Sequence, residues 1–278
     1  MTSIAFRRKA TDRIMKALFL LSAFLVILPL FLIFSDLLWK GAKELKWSLI
    51  ADLPRPVGEP GGGIANGIVG TLTVAGLAMA GGIPLAVLSG IYLAEYGRGM
   101  FASTVRFAVD LLVGVPSIIL GIFGYVLWVL PMKRFSAWAG ASALAVIFIP
   151  IVVRTTEEML KTVPVSVREG ALALGIERWK TTLFITVRTA AAGIITGILL
   201  AMARILGETA PLLFTALGNQ FWQAGLDQPI ATIPLQVFSY AISPYDDWHG
   251  KAWAGAVVLI LMVLVLSTVA RLLTRTRK

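Results

Sequence analysis

Cysteine is absent from all 278 residues, which excludes a disulfide framework and any thiolate metal site. Histidine occurs once, at His249, so a multi-histidine metal centre is excluded and a phosphatase-like or protease-like site has little to be built from. Charge is scarce as well. Asp, Glu, Lys and Arg make up 14% of the chain, against about 25% in an average soluble domain. No Walker-type glycine loop occurs, so the usual phosphate cradle for nucleotide is missing, and any ATP-driven step falls to another subunit. Neither metal nor cofactor is implied, and no enzymatic activity of the chain's own is expected.

What the chain has is apolar length: 58% of its residues are hydrophobic. Runs long enough to span a bilayer, which takes about 20 apolar residues, occur at 17–38, 67–94, 105–130, 138–153, 183–217 and 252–272. The expectation is an all-α integral membrane protein with six transmembrane helices, the fourth run short and the fifth long. With both termini inside, seventeen Lys and Arg fall on the cytoplasmic side and seven outside, as the positive-inside bias requires. The net charge of +10 is therefore a membrane-orientation signal rather than a nucleic-acid one. Arg7–Lys16 ahead of an apolar run resembles a signal peptide. That run is too long for one, and 34–43 offers no small-residue cleavage site, so an uncleaved anchor is expected.

Residues 1–63 read as a cytoplasmic tail, a first helix and an external linker rich in Pro and Gly. Residues 64–272 read as the core domain, and 273–278 as a basic tail that holds Arg275, Arg277 and Lys278. Small residues let helices approach closely in lipid, and the second run is rich in glycine. There, Gly81-Gly82-Ile83-Pro84 is either a packing surface or a hinge. In the third run Pro116 follows Gly114 and Val115. A proline frees a carbonyl that a membrane protein must re-satisfy, so this is either a packed kink or a break facing a cavity. Asp110, nearby, marks the interface. Between the last two helices, 230–241 is too apolar for a plain loop and suggests a short re-entrant or interfacial element, with His249 in a solvated loop.

Arg204 and Glu208 stand out because they lie inside the apolar stretch 189–217, where a charge at the bilayer centre costs roughly 2.5–3.5 kcal/mol on insertion scales. Four residues apart on a helix, they share a face. Two readings follow. Either Arg204 lines an anion path, with Glu208 holding it in place and accepting a proton-bearing oxygen, or the two form an ion pair that fixes helix packing. Arg154, closing the fourth helix, either lines the cytoplasmic mouth or snorkels to the headgroups. Glu157 and Glu158 pair locally. Gly193 and Gly197 form a GxxxG packing face, open to a helix of this chain or of a partner subunit.

Between the fourth and fifth runs lies the longest internal connection, 155–182. Ser166-Val167-Arg168-Glu169 has the form of a capping box, and Gly175 supplies a helix stop. Arg168 and Glu169 would sit on the surface of a cytoplasmic helix–turn–helix suited to docking, although an ordinary solvated loop fits these residues equally. Glu169-Gly170-Ala171, three residues, Gly175, nine residues and Ile185 resemble the EAA loop of ABC-importer permeases, whose coupling helix inserts into the ATPase subunit. Gly170, Val187 and Arg188 depart from the usual Ala, Leu and Pro.

Three further stretches, 154–160, 203–213 and 231–238, are similar to the PstA family of phosphate-specific ABC importer permeases. That resemblance implies a type I importer fold over about 64–272. Arg168, Glu169, Gly170, Ala171 and Gly175 would form the ATPase-coupling element, and Arg154, Arg204 and Glu208 the substrate path. The implied partners are a PstC-type permease, two PstB-type ATPases and a PstS-type periplasmic phosphate-binding protein in the bacterial inner membrane. Other readings are a permease for sulfate, molybdate or a phosphate ester, and a proton-coupled secondary transporter. The latter is disfavoured because Glu208 has no ladder of buried carboxylates beside it.

Overall fold

The computed structural model describes residues 3–56, 58, 59 and 61–273; Arg275, Arg277 and Lys278 of the basic tail lie outside the described residues. The first helix, α1 (Ser3–Ala42), continues through Pro29, and none of its most apolar window is buried. It touches the body through the last helix of the chain, α13 (Asp246–Leu273). There Gly41 lies against Val257 and Trp253, and Lys40 covers the Trp253 ring at 4.7 Å. The linker that follows is knitted in place rather than loose. It contains the short α2 (Trp47–Ala51), and Gly63, Ile64 and Ala65 donate to the carbonyls of Leu53, Leu49 and Asp52. A Cβ at Gly63 would run into the Ser48 and Leu49 carbonyls.

The centre of the molecule is the pair α3 (Ala65–Ile91) and α7 (Ala137–Lys161). Glycine makes their approach possible: a Cβ at Gly82 would lie 2.8 Å from Phe148, and one at Gly90 2.6 Å from Thr156. Gly82 is thus a packing position. Gly81 faces open space, and α3 runs unbroken through Pro84. Ser136 caps α7 by accepting from the Ala139 amide at 3.1 Å.

Two spans are broken. The third divides into α4 (Gly99–Gly114) and α5 (Ser117–Gly124), which continues through a π-turn at Tyr125–Val129 to α6 (Leu130–Met132). The halves meet at 106°, so Pro116 makes a corner rather than a packed kink. Its fixed φ and missing N–H suit the start of a helix, not its middle. The fifth apolar run does not continue to Leu217. A π-turn at Thr181–Thr186 leads into α10 (Val187–Leu206), Gly207 ends it, and α11 (Ala210–Thr215) begins with Pro211 in its first turn. The half-helices α5 and α11 pack on one another, with a Cβ at Gly121 only 2.6 Å from Pro211 Cα. Counting the bent pair as one, six helical spans are long and apolar enough to cross a membrane among the described residues.

Outside, the chain returns as α12 (Ile233–Ala241), which packs between α3 and α13. Thr71 Oγ1 accepts from the Ile233 amide at 2.9 Å, and Gln236 donates to Asn66 at 2.8 Å. The apolar stretch 230–241 is therefore a buried structural element. His249 is in the first turn of α13 rather than in a loop, its Nε2 2.6 Å from the Ser243 carbonyl.

Candidate functional site

Arg204 sits in the last turn of α10, where the helix dipole favours a cation. Because α10 stops at Leu206, Glu208 is not on the same helical face. The two side chains meet across the terminal turn, Nε to Oε1 at 3.6 Å. That is a loose pair, and the Arg204 side chain is 49% exposed. The guanidinium lines a small cavity of about 10 Å³ together with Leu112, Val113, Val115, Ser117 and Ile151. All of these but Ile151, which belongs to α7, form the corner of the broken third span, so Arg204 faces the break between α4 and α5. The cavity is about the size of one water, too small for a hydrated oxyanion.

Arg154 does not close its helix, since α7 continues for two more turns to Lys161. It holds Glu158 at 2.8 Å and reaches Asp110 of α4 at 3.5 Å. Ile147, Ile151, Arg154 and Glu158 recur at helical spacing, so one stripe of α7 leads from the Arg204 cavity toward the C-terminal end of that helix. Gly193 and Gly197 press α10 onto this same α7, against Met159 and Thr155. That contact is within the chain.

The elbow between the fourth and fifth spans consists of α8 (Val165–Ala173) and α9 (Arg178–Lys180), joined at Gly175. Ser166 does not cap α8. The N-cap is Pro164, with no side-chain hydrogen bond, so the capping box is not formed. The stop is as expected: Gly175 adopts φ +78°, and the amides of Gly175 and Ile176 donate to Leu172 and Ala171 in a Schellman closure. Glu169 and Gly170 face outward while Ala171 is buried. Arg168 is not a surface residue. Its guanidinium donates to Glu95 Oε1 through Nε at 3.1 Å and Nη2 at 2.8 Å, and to the carbonyls of Val163 and Leu160 at 2.7 Å each.

Glu157 pairs locally, as expected, but within a larger cluster that also draws in Arg106 of another helix. Glu157, 1% exposed, takes Arg106 Nε at 2.7 Å and Lys161 Nζ at 2.6 Å. Arg106 also donates to the Leu93 carbonyl at 2.6 Å. The partner residue Glu95 was missed, although a signal existed: it is the only carboxylate between Glu59 and Asp110.

With this geometry in hand, likeness to known proteins is informative. Residues 82–278 match the family of binding-protein-dependent transport system inner membrane components. The chain is 45% identical over 272 residues to the phosphate transport system permease protein PstA of Haemophilus influenzae, covering 98% of this chain and 96% of the relative. It is 47% identical over 240 residues to the Yersinia pestis protein of the same name, covering 86% and 81%. Among solved structures, a chain of a bacterial alginate ABC transporter superposes with a TM-score of 0.69 at 14% identity, covering 97% of this chain and 96% of that one. A chain of the inward-facing MetNI methionine ABC transporter gives 0.60 at 18% identity, covering 77% and 94%. These two share the fold, that of type I ABC importer permeases. By extent and identity of match, the chain belongs to the PstA family of binding-protein-dependent inner-membrane transport components.

Proposed function

We propose that this chain is the permease subunit of an ATP-driven importer that moves inorganic phosphate across the bacterial inner membrane. The observation that carries the path is Arg204, which meets the corner of a broken span rather than an uninterrupted helix surface. A guanidinium stays charged and offers forked donors to a tetrahedral oxyanion. Glu208, 3.6 Å away, steadies it and accepts the hydroxyl of a protonated phosphate. Arg154, with Asp110 and Glu158 beside it, extends the route toward the cytoplasm. The loose Arg204–Glu208 geometry favours this reading over a purely structural ion pair, which would be shorter and dry.

Residues 64–272 form the permease unit. Residues 1–63 add a tail, an anchor and an external brace, and 273–278 a basic tail, with both termini cytoplasmic. ATP hydrolysis resides on two PstB-type subunits that receive α8, with Glu169, Gly170 and Gly175 at the contact. A PstC-type permease completes the pore, and a PstS-type protein delivers phosphate from outside.

The decisive measurement is phosphate uptake by Arg204→Gln in vesicles where complex assembly and basal ATPase are verified. Loss of uptake is expected, and full uptake would remove Arg204 from the path.

A further inference from the structure

The outward face of α8 carries Val165, Val167, Glu169 and Leu172 in exposed positions. On the inward side, Ala171 is small, and the one long side chain turned to the body is Arg168, 20% exposed. Its guanidinium places two N–H groups on a single carboxylate oxygen of Glu95 and the others on the Leu160 and Val163 carbonyls. The end of α3, the end of α7 and the coupling helix therefore meet at one cation.

Glu95 lies in a π-turn, Tyr92–Tyr96, closed by the Gly97 amide on the Tyr92 carbonyl at 2.6 Å. Such turns interrupt the regular helical ladder and recur at functional positions. The main chain of Glu95 is occupied as well: its carbonyl accepts from Arg178 Nη2, and the Arg178 guanidinium covers the Tyr96 ring at 4.8 Å. Arg168 and Arg178 stand on opposite sides of the Gly175 bend, so a single residue holds both arms of the elbow.

We infer that Glu95 is the positioning residue through which the coupling helix grips the transmembrane core, by way of Arg168 on one arm and Arg178 on the other. This rests on the ATP-driven reading above and adds the point at which load is passed on. A paired, forked, charge-assisted contact is directional and resists sliding, unlike an apolar one. Movement imposed on α8 is thereby handed to α3 and, through the α3–α7 packing, to the stripe that bears Arg154. Lysine could not replace Arg168, because a point charge cannot serve a carboxylate and two carbonyls in a fixed fork.

The test uses the complete transporter in proteoliposomes and reads ATP hydrolysed per phosphate imported. In assembled Glu95→Gln complexes the ratio should rise about tenfold, the scale expected when a charge-assisted contact between two moving parts is weakened. A purely structural role would lower the yield of complex and leave the ratio of the assembled fraction unchanged. The chain has no cysteine, so Glu95→Cys/Arg168→Cys introduces its only thiols. Unbridged, this variant should be uncoupled. Joined by a short bis-methanethiosulfonate reagent, it should regain the wild-type ratio and lose it again on reduction. A wild-type ratio in Glu95→Gln, transport stopped by the bridge, or failure of both variants to assemble each overturns the inference. Absence of phosphate uptake by the wild-type vesicles would instead overturn the functional reading.

Discussion

At the scale of single residues, the charges in this apolar chain divide by how tightly they are held. Glu157 is buried with two cations, one of them on another helix. Removing it leaves Arg106 and Lys161 facing each other without a counter-ion. Lys161 is 54% exposed and can hydrate, whereas Arg106 is only 29% exposed, so the loss is that of one charge-assisted hydrogen bond, about 1.5–3 kcal/mol. Glu157→Ala should therefore lower the unfolding midpoint of the detergent-solubilised protein sharply, and an unchanged midpoint would mean the cluster is solvated. Arg204 and Arg154 are held differently, with half-exposed side chains; Arg204 meets Glu208 only at 3.6 Å, and Arg154 divides between Glu158 at 2.8 Å and Asp110 at 3.5 Å. A residue that must release an anion cannot be locked in a saturated network. The sequence marked Arg204 because of its cost in lipid. It could not separate Arg168, a buried fastener, from Glu169, its exposed neighbour, since both sit in a polar loop.

At the scale of elements, glycine decides what touches what. Gly197 lies so close to Thr155 that Gly197→Leu must part α10 from α7, whereas Gly81 has nothing within 4 Å of a Cβ. Gly197→Leu should abolish recovery of folded protein, while Gly81→Ala should be recovered normally and transport phosphate. Equal behaviour of the two would refute the packing assignment. The elbow depends on glycine for a different reason. Gly175 has φ +78°, a left-handed conformation that costs other residues roughly 1–2 kcal/mol. Glu169→Lys with Gly175→Asp strains the bend and inverts the charge on the outer face. ATP hydrolysis should then continue without uptake, and retained coupled transport would rule out docking by α8. Proline positions were legible in sequence, but their consequences were not. Pro84 and Pro150 lie inside continuous helices, whereas Pro116 begins a half-helix at a 106° corner. The difference is that α5 has α11 to pack against.

At the scale of the whole molecule, a core of α3, α7, α10 and the paired half-helices is surrounded by apolar side chains left exposed. Phe101, Phe107, Leu111, Ile118 and Phe123 along α4 and α5 are examples. In water such a surface would aggregate; in a bilayer the lipid solvates it. Under the proposed function, selectivity is also a property at this scale, because a binding protein and the path would act in series. At neutral pH phosphate retains a proton that Glu208 can accept, whereas sulfate carries none and meets only repulsion from the carboxylate. Excess sulfate should therefore leave phosphate uptake by the reconstituted transporter unaffected, and Glu208→Gln should relax that discrimination. Efficient competition by sulfate in the wild type would favour a broader oxyanion permease.

The number of spans and the presence of charge inside an apolar run follow from composition and pattern alone. Apolar length against bilayer thickness and the distribution of Lys and Arg are properties of the chain read in one dimension. Three matters were decided only by tertiary structure: that the fifth run stops at Leu206, that Arg204 faces the broken corner, and that Arg168 reaches Glu95. Each depends on residues far apart in sequence being brought together, where the partner that satisfies a freed carbonyl or a buried cation determines whether a helix breaks and which way a charge points.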